Sequence, residues 1–401
     1  AYLAAPVTHK EREDGLGPRG LRHAAVSMQG WRIAQEDAHL SLPDFDVRRK
    51  LGLFGVFDGH CGGAVSRLVV KLLPLMLRKA PSYKAGDYPV ALHEAFLALD
   101  RHFDSPAGRR AVRSEAATIR QELIGSFSVN EVEDLCVDSV LDELCSDNPD
   151  EMGCTAIVAL LEYGAGAKVA GSRSLEVARL HIANCGDSRC VLWDERGRAL
   201  ALSKDHKPRN KAERARIEAA GGRVTAEGRI EGNLNLSRAF ADFEYKRTRK
   251  RGRPEDQMIS CVPEIRSHTL RPHDRFLLLG CDGVWETQRG SQAIVDMARR
   301  AMPTGRRGRL STALVRLFSD NLAQDASSGL GMDNMTAVLV ELPAPSEEKA
   351  RTAAMPATVP TAWGKVGAVR RTISKRPAAG RIAKRPASQS EHFRPGVSGA
   401  Q

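Results

Sequence analysis

No run of about 18 or more apolar residues occurs anywhere in this 401-residue chain, so the sequence offers no membrane-spanning helix. No pair of its eight cysteines has Cys-x-x-Cys spacing. Several, among them Cys185 and Cys281, end apolar strand-like runs. They read as reduced, buried thiols of a cytoplasmic or nuclear protein rather than as a disulfide framework. No His/Cys cluster with zinc spacing is present. Heptad repeats and exposed apolar repeats are also missing, which makes a monomer the expected state. The basic tail has no interleaved aromatics, which removes base stacking and with it a specific nucleic-acid partner.

What is present is a largely globular composition, 42% hydrophobic, long enough for one large core or two ordinary domains. The net charge of +11 is unevenly placed: residues 343–401 carry +8, whereas residues 115–151 carry −10. The basic balance is therefore mainly a property of the tail. The chain opens at Ala1 rather than Met, which leaves a targeting segment undecided.

Residues 1–22 are polar and punctuated by Gly and Pro, and are expected to be a flexible lead-in. From 23 to 342 strand-like and helix-like runs alternate. Strands are expected at 51–57, 155–161, 177–184, 190–194, 275–280 and 337–342. Helices are expected at 63–79, 88–103, 211–220, 292–302 and 310–322. Such a mixture indicates an α/β or α+β domain. The acidic stretch 115–151 includes a capping box, Ser128-x-x-Glu131, ahead of helical spacing. It is expected to pack on the domain or to dock a basic partner. Lys246–Arg253 is a basic loop with six cations in eight residues. The tail 343–401 is too poor in large apolar residues to fold alone and is expected to be a disordered basic tail. It repeats Lys-Arg-Pro-Ala at 375–378 and 384–387, which suggests nuclear import or tethering, and Ser374 and Ser388 have basic kinase contexts.

Four carboxylates carry the chemistry. Asp58 follows the apolar run Leu51–Phe57 and precedes Gly59-His60; Asp282 follows Arg275–Cys281 and precedes Gly283; Asp333 lies just before Ala337–Val340; Glu36 lies upstream of all three. A carboxylate at the end of a buried strand is usually paired or binds a metal. Hard oxygen ligands without a His or Cys cluster favour Mg²⁺ or Mn²⁺ over zinc.

Nine motifs in order then carry a resemblance: Met28-Gln-Gly-Trp-Arg32 with Gln35-Glu-Asp-Ala-His39, Phe57-Asp-Gly-His60, Gly153-Cys-Thr-Ala156, Asn184-Cys-Gly-Asp-Ser-Arg189, Leu202-Ser-Lys-Asp-His-Lys-Pro208, Ala219-Ala-Gly-Gly-Arg-Val224, Gly232-Asn-Leu-Asn-Leu-Ser-Arg-Ala239, Cys281-Asp-Gly-Val-Trp285 and Asp333-Asn-Met-Thr336. Over residues 22–342 the chain resembles the metal-dependent protein serine/threonine phosphatases of type 2C. The resemblance implies an α+β fold, a four-layer α/β/β/α sandwich of two antiparallel sheets flanked by helices, as one catalytic domain over 23–342. It implies hydrolysis of phosphoserine and phosphothreonine on phosphoproteins by direct attack of a water bridging two Mg²⁺ or Mn²⁺ ions. Asp58 would bridge the ions, Glu36 and the carbonyl of Gly59 would complete one site, and Asp282 and Asp333 the other. Arg32 would grip the phosphate, His60 would protonate the leaving alkoxide, and Asp37 would hydrogen-bond water on the metal. A possible third metal position would use Asp150 and Glu286 with Asp282, although Glu286 stands where Asp is usual. Ala239-Phe-Ala-Asp242 replaces the usual Ala-Leu-Gly-Asp, a change expected to affect packing. The basic loop falls in a variable flap beside the cleft, where cations would favour acidic substrates.

Two other readings compete. His60-Cys-Gly-Gly-Ala-Val-Ser-Arg67 spells the His-Cys-x5-Arg loop of cysteine-dependent phosphatases, with Cys61 as nucleophile and Arg67 in the phosphate cradle. A catalytically silent scaffold of the same fold would instead lack acidic ligands, and all four are present here.

Overall fold

A computed structural model describes residues 2–17, 20–126, 148–164, 176–247, 252–286, 289–304, 308–325 and 329–342. Two antiparallel sheets form its centre. The five-stranded sheet has the order β14-β10-β9-β6-β5, from Glu264–Thr269, Glu176–Cys185, Ala156–Gly164, Leu51–Phe57 and Ala38–Asp46. The six-stranded sheet has the order β12-β11-β15-β16-β3-β2, from Ala199–Ala201, Arg189–Asp194, Asp274–Gly280, Met335–Glu341, Arg22–Met28 and Glu11–Leu16.

The alternation along β6 explains the layering. Phe54 and Val56 belong to the core shared with β3, β11, β15 and β16. Leu53 and Phe57 point the other way, into a second core. That core is built with helices α1 (Ala64–Lys79), α3 (Tyr88–Asp104) and α4 (Pro106–Ser126). A short α2 (Pro81–Ala85) links α1 to α3. Burial on both faces is why β6 reads as a continuous apolar run rather than an alternating one. Beyond the other sheet, α8 (Gly290–Ala301) and α9 (Ser311–Asn321) add Ile294, Val295, Leu314, Leu317 and Phe318 to the first core. The expected four-layer sandwich is the observed one.

Two smaller sheets adjoin it. β1 (Tyr2–Val7) pairs with β4 (Gly30–Arg32), and β7 (Gly59–His60), β8 (Gly153–Cys154) and β13 (Phe240–Ala241) form a three-stranded sheet. Short α5 (Lys211–Ala219), α6 (Phe243–Lys246) and α7 (Asp282–Trp285) complete the elements.

The N-terminal expectation is corrected. Residues expected to be a flexible lead-in form β1 and β2. β2 has the sequence Glu-Arg-Glu-Asp-Gly-Leu, carries no apolar signal, and is held by backbone pairing along β3 from Glu11↔Ser27 to Leu16↔Arg22. A charged strand at a sheet edge resists pairing with another chain. The acidic stretch is helical as α4 to Ser126, and Val112, Ala116 and Ile119 are buried against the second core. Its Glu115 and Glu122 pair with Lys71 and Arg67 of α1. The capping box at Ser128, residues 248–251 of the basic loop and the whole tail lie outside the described residues.

Candidate active site

The carboxylates converge at one end of the sandwich because strand ends deliver them there. Asp58 lies between β6 and β7, Asp282 opens α7 after β15, and Asp333 precedes β16. Glu36 and Asp37 lie between β4 and β5, on a loop stapled by Asn334. That side chain donates to the carbonyls of Gln29 at 2.8 Å and Ala34 at 3.0 Å, and its Oδ1 accepts from the Glu36 N–H at 3.0 Å. Glu36 Oε1 accepts from the Gly62 N–H at 2.5 Å. A Cβ on Gly59 would meet the Glu36 carbonyl at 2.6 Å, so this approach requires glycine.

Two compact clusters of possible ligand atoms occur among the described residues, and Glu36 and Asp333 belong to neither. Ligand atoms of Asp37, Asp58 and Cys281 lie within 4.8 Å of one another, as do those of Asp187, Asp282 and Glu286. Burial raises Asp58 well above the usual carboxylate range, and the charges of Asp282, Asp37, Asp333 and Asp187 raise it further. Asp282 is raised in the same way, by burial and then by Asp187, Glu286 and Asp333. Burial pushes Asp37 up to about 7, against weaker opposing contacts from Thr336 and Cys281, and neither of its oxygens makes a hydrogen bond of good geometry. Burial also raises Glu36, against the Gly62 N–H. Carboxylates raised by burial and by mutual repulsion, with Arg32, His60 and Lys207 as cations beside them among the described residues, are a donor set for hard divalent cations. The residues present therefore fit metal ions.

Arg32 extends from β4 and donates to Asp333 Oδ2 at 2.7 Å. Burial lowers its basicity, but Asp333 outweighs burial and holds the guanidinium charged. His60 sits on β7, its Nε2 2.7 Å from Asp242 Oδ1. Burial disfavours the imidazolium, but the Asp242 charge prevails and raises His60. The small sheet makes this pair possible: β8 lies between β7 and β13, and a Cβ on Gly153 would collide with both His60 Nε2 and the Asp242 carboxylate. Ala241 and Asp242 have φ of 57° and 52°, left-handed values unusual for residues other than glycine. The substitution expected to alter packing thus lies beside a group that holds His60.

Three residues without a role in the sequence reading matter here: Asp242, Asp187 and Lys207. Lys207 Nζ lies 2.6 Å from Asp187 Oδ2 and 2.6 Å from Glu286 Oε1. Each lay inside a quoted motif, but the pairing spans too many residues for spacing to reveal it. Asp150, like Glu36 and Asp333, joins neither cluster among the described residues, but unlike them it has both oxygens taken by arginines. Its oxygens pair with Arg109 at 2.5 Å and Arg247 at 2.7 Å, which draws it away from the expected third metal position.

The cysteine loop does not assemble. Burial and then the charges of Asp242 and Glu36 push the Cys61 thiol up to about 11, which opposes a thiolate nucleophile. Arg67 is bound to Glu122 at 2.8 Å.

The sequence model described as Protein phosphatase 2C matches residues 21–129 and 101–333. Probable protein phosphatase 2C 2 of Paramecium tetraurelia is 37% identical over 346 residues, 85% of this chain and 98% of that protein. Probable protein phosphatase 2C 58 of Oryza sativa subsp. japonica is 37% identical over 350 residues, 86% of this chain and 89% of its own length. Among solved structures, a phosphatase from Toxoplasma gondii superposes with a TM-score of 0.56 at 25% identity, covering 83% of this chain and 96% of that one. A serine-threonine phosphatase 2C from the same organism shares the fold, with a TM-score of 0.54 at 22% identity, covering 85% of this chain and 98% of that one.

Proposed function

This chain belongs to the protein phosphatase 2C family and is a serine/threonine protein phosphatase acting on phosphoproteins, and we propose that its cleft works with two Mg²⁺ or Mn²⁺ ions. Glu36, Asp58 and the Gly59 carbonyl would hold one, and Asp58, Asp282 and Asp333 the other. When bound, such ions neutralise the phosphate dianion and supply a water nucleophile at neutral pH. The supporting observation is the crowding of buried carboxylates: burial and then Asp282 raise Asp58, and burial and then Asp187, Glu286 and Asp333 raise Asp282.

The chain's own groups do the rest. Arg32 exchanges its bond to Asp333 for two phosphate oxygens, for which its planar fork is suited. His60 donates a proton to the departing serine or threonine oxygen. Asp242 fixes the ring that makes this donation and keeps it charged. Asp37, whose oxygens make no hydrogen bond of good geometry within the protein, orients water at the cleft wall.

The catalytic domain takes in β1 and β2 and so reaches from about residue 2 to 342, beyond the expected 23–342. Among the described residues no helix is long and apolar enough to cross a membrane. The chain acts as a monomer in the cytoplasm, the nucleus or both, a reading supported by its buried free cysteines and the Lys-Arg-Pro-Ala repeats. A basic partner for the acidic stretch would have to use residues other than Glu115, Glu122 and Asp150, which are paired internally.

The test is to strip the protein with EDTA and add back Mg²⁺, Mn²⁺ or Zn²⁺ singly before assaying a phosphothreonine peptide. Recovery with Mg²⁺ or Mn²⁺ is expected. Recovery with Zn²⁺ alone would contradict the hard-ligand reading.

A further inference from the structure

A third cation position was expected from Asp150, Asp282 and Glu286, and the residues do not fit it. Both Asp150 oxygens are engaged by Arg109 and Arg247. Asp282 and Glu286 share their cluster with Asp187 instead. Lys207 Nζ already stands 2.6 Å from carboxylate oxygens of two members of that cluster. A divalent ion such as Mg²⁺ would need those oxygens at about 2.0–2.1 Å in near-octahedral array. It could not take them while an ammonium holds them, since two cations sharing the same oxygens repel. The extra methylene of Glu286, relative to the Asp usual in the family, fits a contact to Lys207.

We propose that the Lys207 ammonium is the resident cation of this position, so that the chain binds two dissociable divalent ions and no third. The proposal rests on the two-ion reading above. Lys207 comes from the loop before α5, and Asp187 from the turn between β10 and β11. Their pair ties that turn to Glu286 at the end of α7, beside Asp282. The positive charge beside Asp282 is then part of the polypeptide, independent of free metal, and orients that end of the cleft before any ion binds.

Equilibrium dialysis of the full chain against saturating Mn²⁺, with metal and protein quantified, tests this. The wild type should bind two ions per chain. Lys207→Met should gain a third, which Lys207→Met combined with Asp187→Asn should lose again. Lys207→Arg, which keeps the charge, should stay at two. Three ions on the wild type would overturn the proposal whatever the variants do, as would a folded Lys207→Met that still binds two. If Lys207→Met does not fold, the wild-type and Lys207→Arg counts decide: two on each supports the proposal, and a third on either overturns it. A wild type that binds no Mn²⁺ would overturn the two-ion reading itself, a result distinct from an excess ion.

Discussion

Replacing Asp242 by Asn should slow hydrolysis of a phosphothreonine peptide about 10- to 100-fold while changing KM little. Asp242 is fully buried and its Oδ1 lies 2.7 Å from His60 Nε2. Asn keeps the volume and removes the charge. A hydrogen bond to a charged group contributes about 1.5–3 kcal/mol, and at about 1.4 kcal/mol per decade this gives the stated loss. The interaction favours the proton-carrying ring, so its removal acts on the step in which the alkoxide leaves. p-Nitrophenyl phosphate provides the control, because p-nitrophenolate leaves without needing a proton, and its turnover should fall by less than about threefold. Steady-state kinetics on both substrates, with unfolding midpoints to verify the fold, make the comparison. Equal losses on the two substrates would refute the reasoning and reduce Asp242 to a packing residue.

Other perturbations act on different parts of the molecule. Glu213 is buried between Arg216, at 2.6 Å, and Arg238, at 2.6 Å, so Glu213→Gln should cost about 3 kcal/mol in urea unfolding at pH 7. Burial opposes its charge, but hydrogen bonds from Arg238 and the charges of Arg216 and Arg238 prevail and hold its carboxyl at about 2. A depressed folded value means stability that is complete above the unfolded value near 4.3 and is lost as pH falls towards 2. The urea midpoint of Glu213→Gln should therefore fall less than that of the wild type between those limits. Arg32→Ala should raise KM for the phosphopeptide and lower kcat/KM by at least about tenfold, the effect of one charge-assisted phosphate contact. Mn²⁺ at about 100 times its dissociation constant should stabilise the wild type by about 2.7 kcal/mol in a thermal scan, and Asp58→Asn should abolish this response.

The buried strands and the principal carboxylates were legible in the sequence for a common reason. β6, β15 and β16 are apolar on both faces, so their ends are marked by the first charged residue, and Asp58 and Asp282 are those residues. β2 was illegible because nothing in Glu-Arg-Glu-Asp-Gly-Leu distinguishes an edge strand from a solvated loop; only its partner β3 does. The Lys207–Asp187 and His60–Asp242 pairs join residues distant in the chain, and local spacing carries no information about such contacts. Asp150 shows the converse. The family resemblance suggested it as a ligand of a third ion, yet two arginines, from α4 and the end of α6, hold both its oxygens.

Buried carboxylates, and not the cysteine loop, are proposed to carry the hydrolysis. Phosphate release from a phosphothreonine peptide in Mn²⁺, measured for wild type, Asp282→Asn and Cys61→Ser side by side, tests it most directly. Activity should survive Cys61→Ser and collapse in Asp282→Asn. Activity that survives Asp282→Asn and disappears in Cys61→Ser would contradict it.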